Sequence, residues 1–69
     1  MMHGLTDDQW AVAELVAACW TVKQIAQRRG TRQQTVHLHI DAIMHRWRLD
    51  PTKDARTQIA LAVQVKRAT

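Results

Sequence analysis

The chain has 69 residues, which makes one domain, and it carries a net charge of +4. A chain this short buries only ~60% of the surface its unfolded form exposes, so extra stability from a disulfide, a metal or a partner subunit is usual. Cys19 is the sole cysteine, which excludes an internal disulfide and points to a reducing compartment. No apolar run approaches the ~18 residues of a membrane span. The opening Met1-Met2-His3-Gly4 lacks the basic and apolar regions of a secretion signal. A cytoplasmic protein is expected, with residues 1–4 as a flexible start, residues 5–67 as the folded domain, and self-association as the source of added stability.

Placement of charge matters more than its sum. Lys23, Arg28, Arg29, Arg32, Arg46 and Arg48 fall in one stretch that contains a single acid, Asp41, whereas Asp7, Asp8 and Glu14 precede it. Such a segment draws polyanions, of which nucleic acid is the commonest in a cytoplasm. Charge alone leaves open a plain solvated face.

Four helices and no strand are predicted. Thr6 with Gln9 three residues on is a capping-box pattern, and Asp7 and Asp8 suit the positive end of the helix dipole. Val12, Leu15, Val16 and Cys19 then recur at helical spacing as a buried stripe. Thr21 with Gln24 repeats the box, and Val22, Ile25 and Ala26 give a second short apolar face. Gly30 follows, where a positive φ ends the helix. Thr31-Arg32-Gln33-Gln34 reads as a third capping signature, with Thr31 as the cap. Two helices separated by so few residues must turn sharply, as in a helix-turn-helix.

The third helix is expected from about Gln33 to Trp47. Val36, Ile40, Ile43, Met44 and Trp47 share one face, and Gln34, His37, His39, Asp41 and His45 lie opposite with Leu38 among them. The fourth begins near Pro51 or near Asp54 and runs to about Arg67. Ala55, Ile59, Ala62 and Val63 cluster on one of its sides, and Leu61 and Val65 fall on the other. That second stripe is either a homodimer seam or a pair of ordinary exposed aliphatics.

From Leu5 to Leu49, without a gap, these residues resemble the helix-turn-helix domain of LuxR/GerE-type bacterial regulators. The likeness rests on Leu5-Thr6, on Val12, Leu15 and Val16, on Lys23-Gln24-Ile25-Ala26, and on Thr35-Val36 with His39 and Ile43. Arg56-Thr57-Gln58 is similar to the opening of the family's last helix, which extends the coverage to about residue 63. The chain also departs from the pattern. Cys19 and Arg48 stand where Gly is common, Arg29 replaces a buried Leu, and Thr31-Arg32 replaces Ile-Ser.

The resemblance implies a four-helix, all-α domain whose third helix enters the major groove while the second braces it on the backbone. Residue by residue, it makes Gln33, Gln34, His37, Leu38 and Asp41 the candidates for base edges. A Gln amide matches adenine N6 and N7, a carboxylate accepts from cytosine N4, and Leu38 packs on a thymine methyl. For Asp41 the competing reading is a partner for His37 or His45 one turn away. Phosphate contacts are expected from Thr21, Lys23, Arg32, Thr35 and Arg46. His39 matches a family position near the backbone, or else is a half-buried residue closing the core.

His37, Asp41 and His45 recur every four residues, but one helix presents at most two adjacent ligands well, and no metal or other cofactor is expected. Trp10, Trp20 and Trp47 are expected to be core or half-buried, with Trp10 packing on the last helix or meeting a partner. No catalytic constellation is present, so the chain is not expected to be an enzyme. The leading expectation is a homodimeric, sequence-specific binder of double-stranded DNA that regulates transcription. The alternative is a protein-interaction module that contacts RNA polymerase or another regulator. A third reading is an architectural packaging or recombination accessory. No membrane is expected as a partner.

Overall fold

The computed structural model describes residues 3–68. Four helices occupy them: α1 (Asp7–Ala17), α2 (Val22–Arg29), α3 (Gln33–Arg46) and α4 (Ala55–Ala68), with no strand among the described residues. The first two helices begin as local chemistry dictates. Thr6 Oγ1 accepts from the Gln9 amide at 3.1 Å, while Gln9 Oε1 accepts from the Thr6 amide at 3.2 Å. Thr21 and Gln24 repeat the exchange at 3.1 and 2.9 Å.

α3 starts differently. Its N-cap is Arg32, in extended conformation and with no side-chain cap bond, rather than Thr31. Gly30 turns left-handed at φ 64°, and the Thr31 amide closes back on the Ala26 carbonyl at 2.9 Å. Thr31 therefore belongs to the end of α2 and cannot open α3. An Arg32→Ser variant restores a side-chain acceptor at the cap. It is expected to stabilise the fold by about 1 kcal/mol, read as a melting midpoint ~4–8 °C higher by circular dichroism.

Three helix ends share one device. Beyond α1, Cys19 is left-handed (φ 70°), its amide donating to Val16 O at 3.0 Å and that of Trp20 to Leu15 O at 3.1 Å. Gly30 and Thr31 close α2 in the same way. Beyond α3, Arg48 is left-handed (φ 54°), its amide donating to His45 O at 3.2 Å and that of Leu49 to Met44 O at 2.9 Å. Cys19 is thus not part of the buried stripe: α1 stops at Ala17, and the turn carries the thiol to an exposed position.

α4 begins at Ala55, not at Pro51. Asp54 accepts from the Arg56 amide (3.2 Å) and the Thr57 hydroxyl (2.6 Å), and Asp50 accepts from the Thr52 hydroxyl (2.6 Å) and amide (2.9 Å). The Thr57 hydroxyl first and the Arg56 amide second hold Asp54 below its ordinary pKa; Thr52 does the same for Asp50, hydroxyl first. Gln58 fastens the preceding loop by both ends of its amide to the Asp50 backbone, each at 2.8 Å.

α1 lies centrally against α4 and α3, and α2 packs chiefly on α3. Every helix sends residues into one core: Val12, Ala13 and Val16 from α1, Ile25 and Ala26 from α2, Val36, Ile43 and Met44 from α3, Ile59 and Val63 from α4. Leu15, Trp20, Ile40, Trp47 and Leu49 border it, half-buried. The radius of gyration, 11.0 Å, is the ~11 Å of a fully packed domain of this length, so α4 is folded in rather than projecting.

A tryptophan pair joins the start of the chain to the end of α3. Trp10, expected on the last helix or at a partner, stacks on His3 (4.3 Å, 6°) and meets the edge of Trp47 (6.3 Å, 70°). Trp47 Nε1 donates to His3 O at 2.7 Å and Arg46 Nε to Gly4 O at 2.8 Å. Of the four-residue start expected to be flexible, His3 and Gly4 are therefore tied down; Met1 and Met2 lie outside the described residues. No helix is long and apolar enough to cross a membrane among the described residues.

Candidate nucleic-acid interface

Only Gly30, Thr31 and Arg32 separate α2 from α3, and the left-handed glycine lets the chain reverse so that the two helices pack together. Because α3 turns Val36, Ile43 and Met44 into the core, its other side must face outward. Gln34, Leu38, Asp41 and His45 follow one another there, one turn apart, and all are exposed; Gln33 and His37 are exposed beside them. The five residues expected at base edges therefore share one uncovered surface. Leu38, 61% exposed, is an apolar side chain set among polar ones with no intramolecular partner surface over it.

Asp41 makes no ion pair or hydrogen bond with His37 or His45, so the competing reading of this carboxylate as an intrahelical partner is not realised. Nor do these three residues gather around a common point: no cluster of three or more His, Cys, Asp or Glu suited to a metal ion occurs among the described residues.

The residues expected at phosphates divide. Thr21, Lys23 and Arg32 are exposed. Thr21 and Gln24 consume their own amides in the capping box, which leaves those of Val22 and Lys23 open at the start of α2. Thr35 and His39 are half-buried and line a cleft with Asp8, Val12, Arg29 and Thr31, on the flank of α3 that looks toward α1. Arg46 is turned to the other side, bonded to Gly4 O and lining a cleft with Leu5, Thr6 and Gln9.

The basic stretch likewise separates into engaged and open cations. Arg28 lies over the Trp20 ring at 5.8 Å, Arg29 pairs with Asp8 at 2.8 Å, and Arg46 holds Gly4. Lys23, Arg32 and Arg48 have no ion-pair or hydrogen-bond partner among the described residues. Arg32 immediately precedes α3 and Arg48 follows it by one residue, so an open guanidinium stands at each end of the outward face. Arg48 and His45, named in the basic stretch and on the outward face, were not among the residues expected at bases or phosphates. The spacing from Gln34 was the signal available for His45; for Arg48 the signal was its place where the resembled family commonly has glycine, a position suited to a positive φ.

Sequence reasoning singled out Leu61 and Val65 on α4, and the structure leaves them 59% and 63% exposed. They are part of a longer uncharged face with Thr57, Gln64 and Ala68, all exposed. The charges of α4 are drawn off it: Arg56 donates to Trp20 O, Arg67 pairs with Glu14 at 2.9 Å, and Lys66 lies over Trp47 at 5.1 Å. A shallow groove lined by Val16, Cys19, Ala60 and Leu61 adjoins this face.

No family model matches the chain. No curated protein and no solved structure matches it either. The functional reading therefore rests on the residues themselves.

Proposed function

We propose that the chain is a sequence-specific DNA-binding regulator of transcription, working in the cytoplasm as a homodimer that presents α3 to the major groove. One observation carries the proposal: the polar side of α3 is left uncovered, with hydrogen-bonding side chains in line and an open arginine at each end. An α-helix fits the ~12 Å major groove, where Gln, carboxylate and aliphatic groups each have a matching base edge. The pairing of α2 and α3 across a short glycine turn suits a helix-turn-helix, with Thr21 and Lys23 toward the backbone.

Three details favour the LuxR/GerE-type resemblance. Cys19 and Arg48, which stand where that family commonly has glycine, are the two non-glycine residues with positive φ among those described. Arg32, which stands where the family has serine, occupies the N-cap of α3. These three departures fall where the pattern's residue has a backbone role, whereas Arg29, which replaces a buried Leu, is exposed and paired with Asp8.

Selection of bound fragments from random DNA tests the proposal. A recurring motif is expected. Gln34→Ala is expected to change the preferred motif with folding intact, whereas Lys23→Ala weakens binding to all sequences alike and flattens the salt dependence by about one unit of slope. If no motif is enriched and binding ignores salt, the DNA reading is wrong.

The uncharged face of α4 favours a second reading, a protein-interaction module for RNA polymerase or another regulator. Capture of a protein partner by a chain that retrieves no DNA would decide for it.

A further inference from the structure

We infer that Arg48, rather than Arg46, is the cation that anchors the C-terminal end of α3 to a DNA phosphate; the inference rests on the DNA-binding reading above. Arg46 has the better sequence credentials, being inside the helix and in a basic context. Its Nε nevertheless donates to Gly4 O at 2.8 Å, which holds the side chain on the flank toward Leu5 and Thr6, in a cleft that His45 also lines. Arg48 has no ion-pair or hydrogen-bond partner among the described residues and lines an open groove of about 700 Å³ together with Asp41 and His45, two members of the outward face.

The backbone at Arg48 adds an independent observation. Its φ of 54° closes α3 through the Leu49 amide, 2.9 Å from Met44 O. Glycine or asparagine holds that conformation at less cost than a residue with a long side chain. Residues kept in sparsely populated conformations cluster where a ligand needs them. Cys19 has a similar φ but carries no charge, so the backbone state alone does not make the case. The conjunction does: a left-handed residue, an unpartnered guanidinium, and a place beside the reading face.

Geometry supplies the reason for a cation there. With 14 residues, α3 is about 21 Å long, more than the ~12 Å width of the groove. Where the helix axis runs across the groove, groups just beyond its ends lie over the phosphate backbones, not the bases. Arg32 serves one end and Arg48 the other. Arg48 also lines the same groove as Asp41, so its charge offsets part of the repulsion between that carboxylate and the nearer phosphates.

Salt titrations of Arg48→Gly, Arg48→Asn and Arg46→Gln test this, on a mixed-sequence duplex of about 30 base pairs and on the selected motif. Both Arg48 variants are expected to bind each duplex roughly five- to tenfold more weakly near 0.1 M salt, with the log–log slope shallower by about one. Arg48→Gly is expected to melt about 5 °C higher at the same time, a gain in stability with a loss of binding that a merely structural arginine would not give. Arg46→Gln keeps the wild-type slope. Wild-type affinity and slope in both Arg48 variants would overturn the inference while leaving the DNA reading intact, as would a slope loss confined to Arg46→Gln. A wild-type chain that binds neither duplex at low salt overturns both.

Discussion

A chain carrying Leu61→Glu and Val65→Glu is expected to remain folded, to run in solution at the mass of a single chain, and to bind a two-fold DNA site roughly 100-fold more weakly than the wild type. The positions are 59% and 63% exposed, so the substitutions remove little intramolecular packing, and such surface changes stay within about 0.5 kcal/mol. Glutamate is also a better helix former than valine. In a two-fold dimer the same face of α4 meets itself, so each new carboxylate faces another across the seam, and like charges there oppose association. The face is suited to a second copy because its own charges are turned away: Arg67 to Glu14, Arg56 to Trp20 O, Lys66 to Trp47. On the proposed function, loss of the dimer would leave each copy of α3 to bind alone, without the high effective concentration of the second. Light scattering gives the mass and circular dichroism the fold. Identical masses for variant and wild type would remove α4 as the seam.

Ile43→Ala, like truncation of the equally buried Ile25 or Ile59, is expected to be strongly damaging to stability, at about 2–5 kcal/mol. Ile43 is fully buried on α3, in a core fed by all four helices. At roughly 0.05–0.15 kcal/mol per residue, a domain of this length has a total stability of the same order, about 3–10 kcal/mol. The variant therefore unfolds far sooner in urea, and a measurable share of it is unfolded without denaturant. Ile43→Val, which removes one methyl, is expected to cost only about 1 kcal/mol and serves as the control. Urea midpoints followed by circular dichroism decide; coincident midpoints for alanine and wild type would mean that α3 is not packed through this residue.

Local signals were legible in the chain and distant ones were not. Thr6 with Gln9 and Thr21 with Gln24 are bonds between residues three apart, so the sequence displays both partners at once. The core face of α3 was legible for the same reason, since helical spacing alone puts Val36, Ile43 and Met44 together. Thr31 misled because its hydroxyl marks a cap only if the backbone there is extended, and the left-handed Gly30 displaces that state to Arg32. Cys19 and Arg48 were legible only through the resemblance, which has glycine at both places; their own side chains carry no mark of a positive φ. The basic stretch was hardest. Whether Arg29 or Arg46 is available depends on Asp8 and on Gly4, distant in sequence and brought near only by packing. The open surface of α3 was legible in its members, and so was Arg32 before it; the open state of Arg48 beyond it was not.

The contact of Trp10 with Trp47 has a practical consequence. Two indoles at 6.3 Å, one near the start of α1 and one just past α3, with an ammonium over the second, form a built-in optical reporter. Any rearrangement that parts these two helix ends, whether by heat, by acid or on a duplex, changes the ultraviolet emission of the unlabelled chain, and does so at the end of the helix that matters most.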